Sequence, residues 1–180
     1  MRIIELQRRT AWSAEFLAHA AVIRAALGAL VVEVHHIGST AIPGIAAKPI
    51  IDILLEVSSL EQLDRSAHLL ENLGYEALGE FGLAGRRYFR KGGEQRTHHL
   101  HAYESGHPDI HRHIAFRDYL KANRVAATQY ESVKLAAAKE FRDSPDAYAQ
   151  SKSAIITKLE QEALLWAAKF ADDETGHELA

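Results

Sequence analysis

A short polar turn and one isolated carboxylate stand close together in the first third of the chain. The turn consists of Gly38, Ser39 and Thr40, and Asp52 interrupts the apolar run from Ile50 to Leu55. Backbone N–H groups and hydroxyls in such a turn suit an anion, whereas an acid in an apolar run is costly to bury without a partner or ligand. We therefore predict a phosphate at the turn and a metal ion or a base function at Asp52. The alternative is that Asp52 forms an ion pair with an arginine or caps a nearby loop.

Two histidines later in the chain are candidate metal ligands together with Asp52. His99 and His101 are two residues apart, so a strand would place them on one face. Imidazole suits Zn, Mn, Fe or Ni, and the three side chains would supply two nitrogen ligands and one oxygen ligand. This set forms only if the strand that carries the histidines lies beside the strand that carries Asp52. The alternative is a surface strand whose histidines bond to loops.

Several basic residues are candidates for binding the phosphate groups of a ligand. Alternation along a strand allows only one of Arg86 and Arg87 to face a site. Tyr130 and Lys134, like Tyr148 and Lys152, are spaced i,i+4, which puts each lysine beside an aromatic ring on a helix. The predicted phosphate-binding set is Gly38, Ser39, Thr40, Lys48, Arg87, Arg117, Lys134 and Lys152. For each lysine, the alternative is a solvated surface position.

The hydrophobic periodicity predicts the elements that position these residues. The predicted helices cover 10–27, with Thr10 or Ser13 as cap, then 60–73, 109–122, 124–141 and 145–171, the last capped by Ser144. The predicted strands cover 31–37, 49–57 and 75–78, followed by a hairpin of 86–90 and 97–103 around Gly92 and Gly93. The pattern divides the chain into a mixed first part and a helical second part.

Composition narrows the classes of function. The 180 residues carry a formal net charge of −3, which argues against a general nucleic-acid binder. The chain has no cysteine, so disulfides, thiolate zinc sites and a cysteine nucleophile are excluded. We expect a cytoplasmic protein, because we see no signal peptide and no apolar window of membrane-spanning length.

Residues 36–52, from His36-Ile-Gly-Ser-Thr through Ala-Ala-Lys-Pro-Ile-Ile-Asp52, resemble the signature of the GrpB family (UPF0157), a bacterial group whose domain also occurs fused to dephospho-CoA kinase. The resemblance continues through residues 86–89, 98–101, 116–120, 130–134 and 148–152. It implies a nucleotidyltransferase-like fold, in which a Gly-Ser turn binds nucleotide phosphates and an Asp-x-Asp strand holds the catalytic metals. Asp52 matches the second acid of that pair, but the first is replaced by Ile50, which favours a single ion over two magnesium ions.

Together these features predict an α+β protein with a nucleotidyltransferase-like mixed sheet over 1–106 and a helical region over 107–180 packed on it as one compact unit. The predicted function is binding of a nucleoside triphosphate or other phosphate ligand and a divalent metal (Mn, Zn or Mg), with Asp52 catalytic in transfer of a nucleotidyl group to an unknown acceptor. The alternatives are a catalytically silent phosphate-binding module, a His/Asp metal-dependent hydrolase of a small phosphorylated compound and, with the least support, an iron oxygenase.

Overall fold

The computed structural model describes residues 3–175, with side chains through residue 170. Its strands are β1 (Val31–Ile37), β2 (Ile51–Val57), β3 (Tyr75–Ala77), β4 (Arg87–Lys91) and β5 (His98–Glu104). Its helices are α1 (Trp12–Leu27), α2 (Leu60–Arg65), α3 (Ala67–Asn72), α4 (Pro108–Ala122), α5 (Arg124–Glu140), α6 (Pro145–Ser151) and α7 (Ser153–Thr175). The predicted α+β class is confirmed.

The five strands form one mixed sheet in the order β1-β2-β5-β4-β3. Strands β2 and β5 are parallel neighbours at its centre, and every other pairing is antiparallel. The register sets Asp52 beside His99 and Leu54 beside His101. The condition on which the predicted metal set depended, neighbouring strands, is therefore met.

Strict alternation along β2 gives the sheet two different faces. Ile51, Ile53, Leu55 and Val57 are buried in the largest core cluster, against the apolar side of α1 and against α2 and α3. Burial of such a side chain contributes about 1.5–3 kcal/mol, so this face fixes the sheet to its helices. The opposite face carries Asp52, Leu54 and Glu56.

The C-terminal helices cover part of this second face. Ile110 of α4 is buried with Ile37, Leu54 and Tyr103 of the sheet. A further cluster joins the segment between β1 and β2 to the helices, and its buried members are Ile42, Ile45, Leu120, Ala126, Ala127, Tyr130 and Leu159. Because Ile42 and Ile45 of the β1–β2 connection pack against α5, this helix is held beside the polar turn.

Several predicted boundaries are wrong, for local reasons. The helix predicted over 60–73 is interrupted at Ser66. The one predicted over 145–171 is interrupted at Lys152, whose backbone N–H bonds back to Ala149 and Gln150. Helix α1 begins without a side-chain cap at Ala11, so neither Thr10 nor Ser13 caps it, and Ser144 likewise makes no capping hydrogen bond. The break at Lys152 matters most, because it brings that lysine to the site.

One described segment, residues 12–30, is long and apolar enough to cross a membrane by length and composition alone. This corrects the expectation from sequence that no apolar window of membrane-spanning length is present. Six residues of this segment, Trp12, Phe16, Ala20, Ile23, Leu27 and Leu30, are buried in the core against the sheet. The criterion of length and composition is met equally by such a core helix, so the finding is weak evidence for a membrane span.

Candidate phosphate-binding site

The turn after β1 approaches the next strand closely because residue 38 is glycine. Gly38 has φ +69°, and a Cβ there would lie 2.4 Å from Asp52 Oδ2, well inside contact distance. Residues Ser39–Ala41 then form one 3₁₀ turn. His36 Nε2 lies 2.9 Å from Thr40 Oγ1, and burial lowers the pKa of His36 to about 4. The neutral imidazole of His36 therefore stabilises the turn through its contact with Thr40.

Asp52 is hydrogen-bonded to its neighbour on β5. The His99 Nδ1–H donates to Asp52 Oδ1 across 3.1 Å. Burial alone would raise the pKa of Asp52, but the His99 hydrogen bond and nearby positive groups, including Lys48, outweigh it and hold the pKa below its usual value. Asp52 is thus an ionised carboxylate with one oxygen already engaged.

Two helices supply the opposite wall as repeated lysine–tyrosine pairs. Lys134 of α5 is only 2% exposed; its Nζ donates to the Ala46 carbonyl across 2.5 Å and lies 5.1 Å from the Tyr130 ring centroid. Lys152, at the break between α6 and α7, lies 4.1 Å from the Tyr148 ring centroid. The predicted i,i+4 pairs therefore both face the site.

Lys48 reaches the same aromatic ring from the segment that precedes β2. Its Nζ lies 5.1 Å from the centroid of Tyr148. The contacts bring three ammonium groups, those of Lys48, Lys134 and Lys152, into one region.

The electrostatics of the lysines reflect this crowding. Burial, with a contribution from Lys152, lowers the pKa of Lys134 to about 7. Burial, with a contribution from Lys48, lowers the pKa of Lys152 to about 8. A bound anion would favour the charged forms and raise both pKa values.

These groups surround a cavity of about 150 Å³. Its lining residues are Gly38, Ser39, Thr40, Ala47, Lys48, Ile50, Asp52, His99, Tyr130, Lys134, Tyr148 and Lys152. The cavity therefore gathers the polar turn, three lysines and a single carboxylate.

Most of the predicted site residues lie at this cavity, but Arg87, Arg117 and His101 are not among its lining residues. Arg87 donates to both carboxylate oxygens of Asp64, at 2.6 and 2.8 Å. Arg117 pairs with Asp118 and reaches the His36 carbonyl at 3.3 Å.

His101 is directed to a different set of neighbours, although it shares a strand face with His99. Its ring contacts those of Tyr88 and His113, and its Nδ1 lies 3.5 Å from Arg86 Nη1. Burial lowers its pKa to about 3. Of the two neighbouring arginines, Arg86 therefore faces this side of the sheet.

The donor set does not fit the predicted divalent ion. Among the side chains that the structure describes, those of residues 3–170, no group of three His, Asp or Glu residues is arranged to hold a metal. Ile50 stands where a first acid would be needed, and Asp52 is the single carboxylate among the lining residues. These residues therefore do not support a metal-dependent step.

Four lining residues are absent from the predicted set: Ala47, Ile50, Tyr130 and Tyr148. The i,i+4 spacing of the two tyrosines to Lys134 and Lys152 is the sequence signal that identifies them. Tyr148 is fully buried, and its hydroxyl has no hydrogen-bond partner among the described residues. Since buried polar groups are normally satisfied, this hydroxyl is a candidate ligand contact.

Comparison with known proteins finds matches that cover most of the chain. The family model described as GrpB protein matches residues 3–162. The UPF0157 protein YqkA of Bacillus subtilis is 46% identical over 144 residues, which cover 80% of this chain and 42% of that protein. The chain thus spans less than half of this relative. A dephospho-CoA kinase of Mycolicibacterium paratuberculosis is 28% identical over 86% of the chain and 43% of its own length, in agreement with the expected fusion.

Two solved structures place the fold. The crystal structure of conserved protein GrpB from Enterococcus faecalis matches with a TM-score of 0.87 and 43% identity, covering 91% of this chain and 99% of that one. The structure of Cid1 in complex with its short product ApU matches with a TM-score of 0.51 and 15% identity, over 72% of this chain and 42% of that one. The second likeness concerns the fold alone and confirms the predicted nucleotidyltransferase-like architecture.

Proposed function

Because this chain belongs to the GrpB family, whose model matches residues 3–162, we propose that its cavity binds the phosphate groups of a nucleoside triphosphate or of another small phosphorylated compound. The observation that carries the proposal is the charge of the lining: three lysines face a single carboxylate, Asp52. Such an excess of positive charge in a partly desolvated cavity favours a polyanion.

The polar turn adds directional contacts to this charge. Ser39 and Thr40 line the cavity beside Gly38, and they offer hydroxyl donors as well as backbone N–H groups. Tyr148 contributes a buried hydroxyl without a partner. We propose that the turn holds the terminal phosphates while the lysines neutralise their charge.

The fold also supports a catalytic version of the proposal, the transfer of a nucleotidyl group to a hydroxyl of an unidentified acceptor. Asp52 is the second residue of β2 and lies beside the turn, where it would orient the reacting groups. The apolar Ile50 at the position of a first acid specifically favours a second candidate, a binding module without turnover.

Binding is tested by calorimetry with ATP, CTP, GTP and UTP on the wild type and on the Lys134→Met variant. We expect at least one nucleotide to bind the wild type and the variant to lose about tenfold or more in affinity, because a buried ammonium–phosphate contact is removed. Lys139→Met is the matched control, since Lys139 lies on the same helix but is exposed, and it should retain wild-type affinity. Equal losses in both variants, or no binding by the wild type, would contradict the proposal.

Turnover is tested separately by release of pyrophosphate from the bound nucleotide. If the protein is a nucleotidyltransferase, Asp52→Asn should abolish pyrophosphate release and retain nucleotide binding. Binding without release, in the presence of a broad set of hydroxyl-bearing acceptors, supports the module without turnover.

A further inference from the structure

We infer that this cavity neutralises the phosphate charge of its ligand with Lys48, Lys134 and Lys152, and that it binds the ligand without a divalent cation. The inference rests on the proposed function, since it concerns how the same phosphate groups are held. It departs from the metal ion that the sequence predicts.

The cavity has too few acidic groups to hold two divalent ions against a bound phosphate chain. Two divalent ions bridging phosphates require several hard oxygen ligands from the protein. Asp52 is the single carboxylate among the lining residues, and its Oδ1 already accepts the hydrogen bond from His99. Ile50, two residues earlier, is apolar and 4% exposed, so it supplies no ligand.

Neutral groups hold the ammonium groups of Lys134 and Lys152 in place beside the cavity. Lys134 is fixed by the Ala46 carbonyl and the Tyr130 ring, and Lys152 by the Tyr148 ring. Carbonyl dipoles and aromatic faces stabilise an ammonium group without cancelling its charge. These charges therefore remain available to an anion, and they repel a divalent cation placed among them.

Fixed ammonium groups can perform the electrostatic work of a bound ion. Charge on a phosphate group is stabilised by positive groups that are already oriented in a water-poor site. Lys134 is buried on α5, while Lys48 and Lys152 are held at one aromatic ring from two different segments. When a bound anion keeps all three lysines protonated, three positive side chains against one carboxylate leave an excess of two charges, which suits a diphosphate or triphosphate group.

The inference is tested with inorganic tripolyphosphate as the probe, titrated calorimetrically in excess EDTA and again in excess Mg²⁺. We expect wild-type affinity in EDTA to equal that in Mg²⁺ within about threefold, or to exceed it, because Mg²⁺ competes with the lysines for phosphate oxygens. Lys134→Met and Lys152→Gln should each lose about tenfold or more in EDTA. Lys139→Met should lose nothing. The two lysine variants lie on different elements, so a folding defect in one, detected by circular dichroism, leaves the other informative.

Asp52→Asn gives opposite results under the two mechanisms. If the lysines carry the charge, the variant should bind tripolyphosphate in EDTA at least as tightly as the wild type, since a repelling carboxylate is gone. If Asp52 holds a metal, affinity in Mg²⁺ should fall about tenfold or more. Binding that requires Mg²⁺ and is lost in Asp52→Asn would overturn this inference and leave the proposed phosphate site standing. Absence of binding by tripolyphosphate and by all four nucleotides, with and without Mg²⁺, would overturn both.

Discussion

The two faces of the central sheet are made by the same strands, but they serve different purposes. On β2, the residues on one face are Ile51, Ile53, Leu55 and Val57, all enclosed by the N-terminal helices. The other face of that strand carries Asp52, and β5 adds His99 beside it. Because side chains alternate strictly along a strand, a shift of one residue would exchange the core with the site. The apolar face fixes the register, and the register places the carboxylate.

The largest expected effect comes from breaking this division with a carboxylate on the wrong face. Ile53→Asp would place an unpaired charge where the native side chain is 0% exposed, at a cost above about 4 kcal/mol. We expect this variant to lose its cooperative urea transition. Asp52→Asn, one residue away, should change the free energy of unfolding by only about 1 kcal/mol, because it removes one charge-assisted hydrogen bond.

Urea unfolding followed by circular dichroism measures both variants. If Asp52→Asn destabilised the protein as much as Ile53→Asp, the polar face would be part of the core rather than a site.

Much of this architecture could be predicted from sequence because the signals are local. The alternation around Asp52, the Gly92–Gly93 hairpin and the helical spacing in the second half each identified an element that the structure contains. The lysine–tyrosine pairs at 130/134 and 148/152 also carried a local signal, and both pairs line the cavity.

The sequence predictions fail where a side chain contacts partners that are distant in the sequence. Nothing local to Arg87 indicates that Asp64, 23 residues earlier, will accept two hydrogen bonds from it. His101 shares a strand face with His99, yet aromatic rings from β4 and α4 surround it. Hydrophobic periodicity likewise does not specify the break at Lys152.

A second prediction concerns the charge that the polar side of the molecule tolerates. The pKa of Lys134 is about 7 in the folded protein and about 10.4 when unfolded, so between these values the unfolded state binds more protons and stability rises with pH. We expect the contribution of Lys134 to increase the free energy of unfolding by about 3 kcal/mol from pH 7 to about pH 9.5.

Comparison with Lys134→Met isolates this contribution from those of Lys48, Lys152, Asp52 and Glu131. The stability of the variant relative to the wild type should be greatest below pH 7 and should decrease as the pH rises. Urea unfolding at several pH values measures the difference. A difference that is constant over this range would show that Lys134 titrates normally.

A third prediction addresses the close approach that joins the turn to the sheet. Gly38→Ala places a Cβ against Asp52 at a positive φ, whereas Gly28→Ala has φ +56° with nothing within 4 Å. Both variants should lose about 1–3 kcal/mol from the backbone, and Gly38→Ala should lose about 1 kcal/mol more from the contact.

Thermal unfolding measures the two losses, and calorimetry with tripolyphosphate should show weaker binding only for Gly38→Ala. Equal losses, together with unchanged binding, would mean that the turn does not depend on its approach to Asp52.

The smallest expected effect separates Arg87, a predicted site residue that lies outside the cavity, from Lys152, which lines it. Arg87→Ala removes an ion pair with Asp64, which is about half exposed, so we expect a loss of about 1 kcal/mol or less. Tripolyphosphate affinity should not change, because Arg87 does not line the cavity. Lys152→Gln should show the reverse, a loss of binding with little loss of stability, since burial already disfavours that charge. A loss of phosphate affinity in Arg87→Ala would extend the site to the face of the sheet that α2 covers and remove the contrast between the two faces.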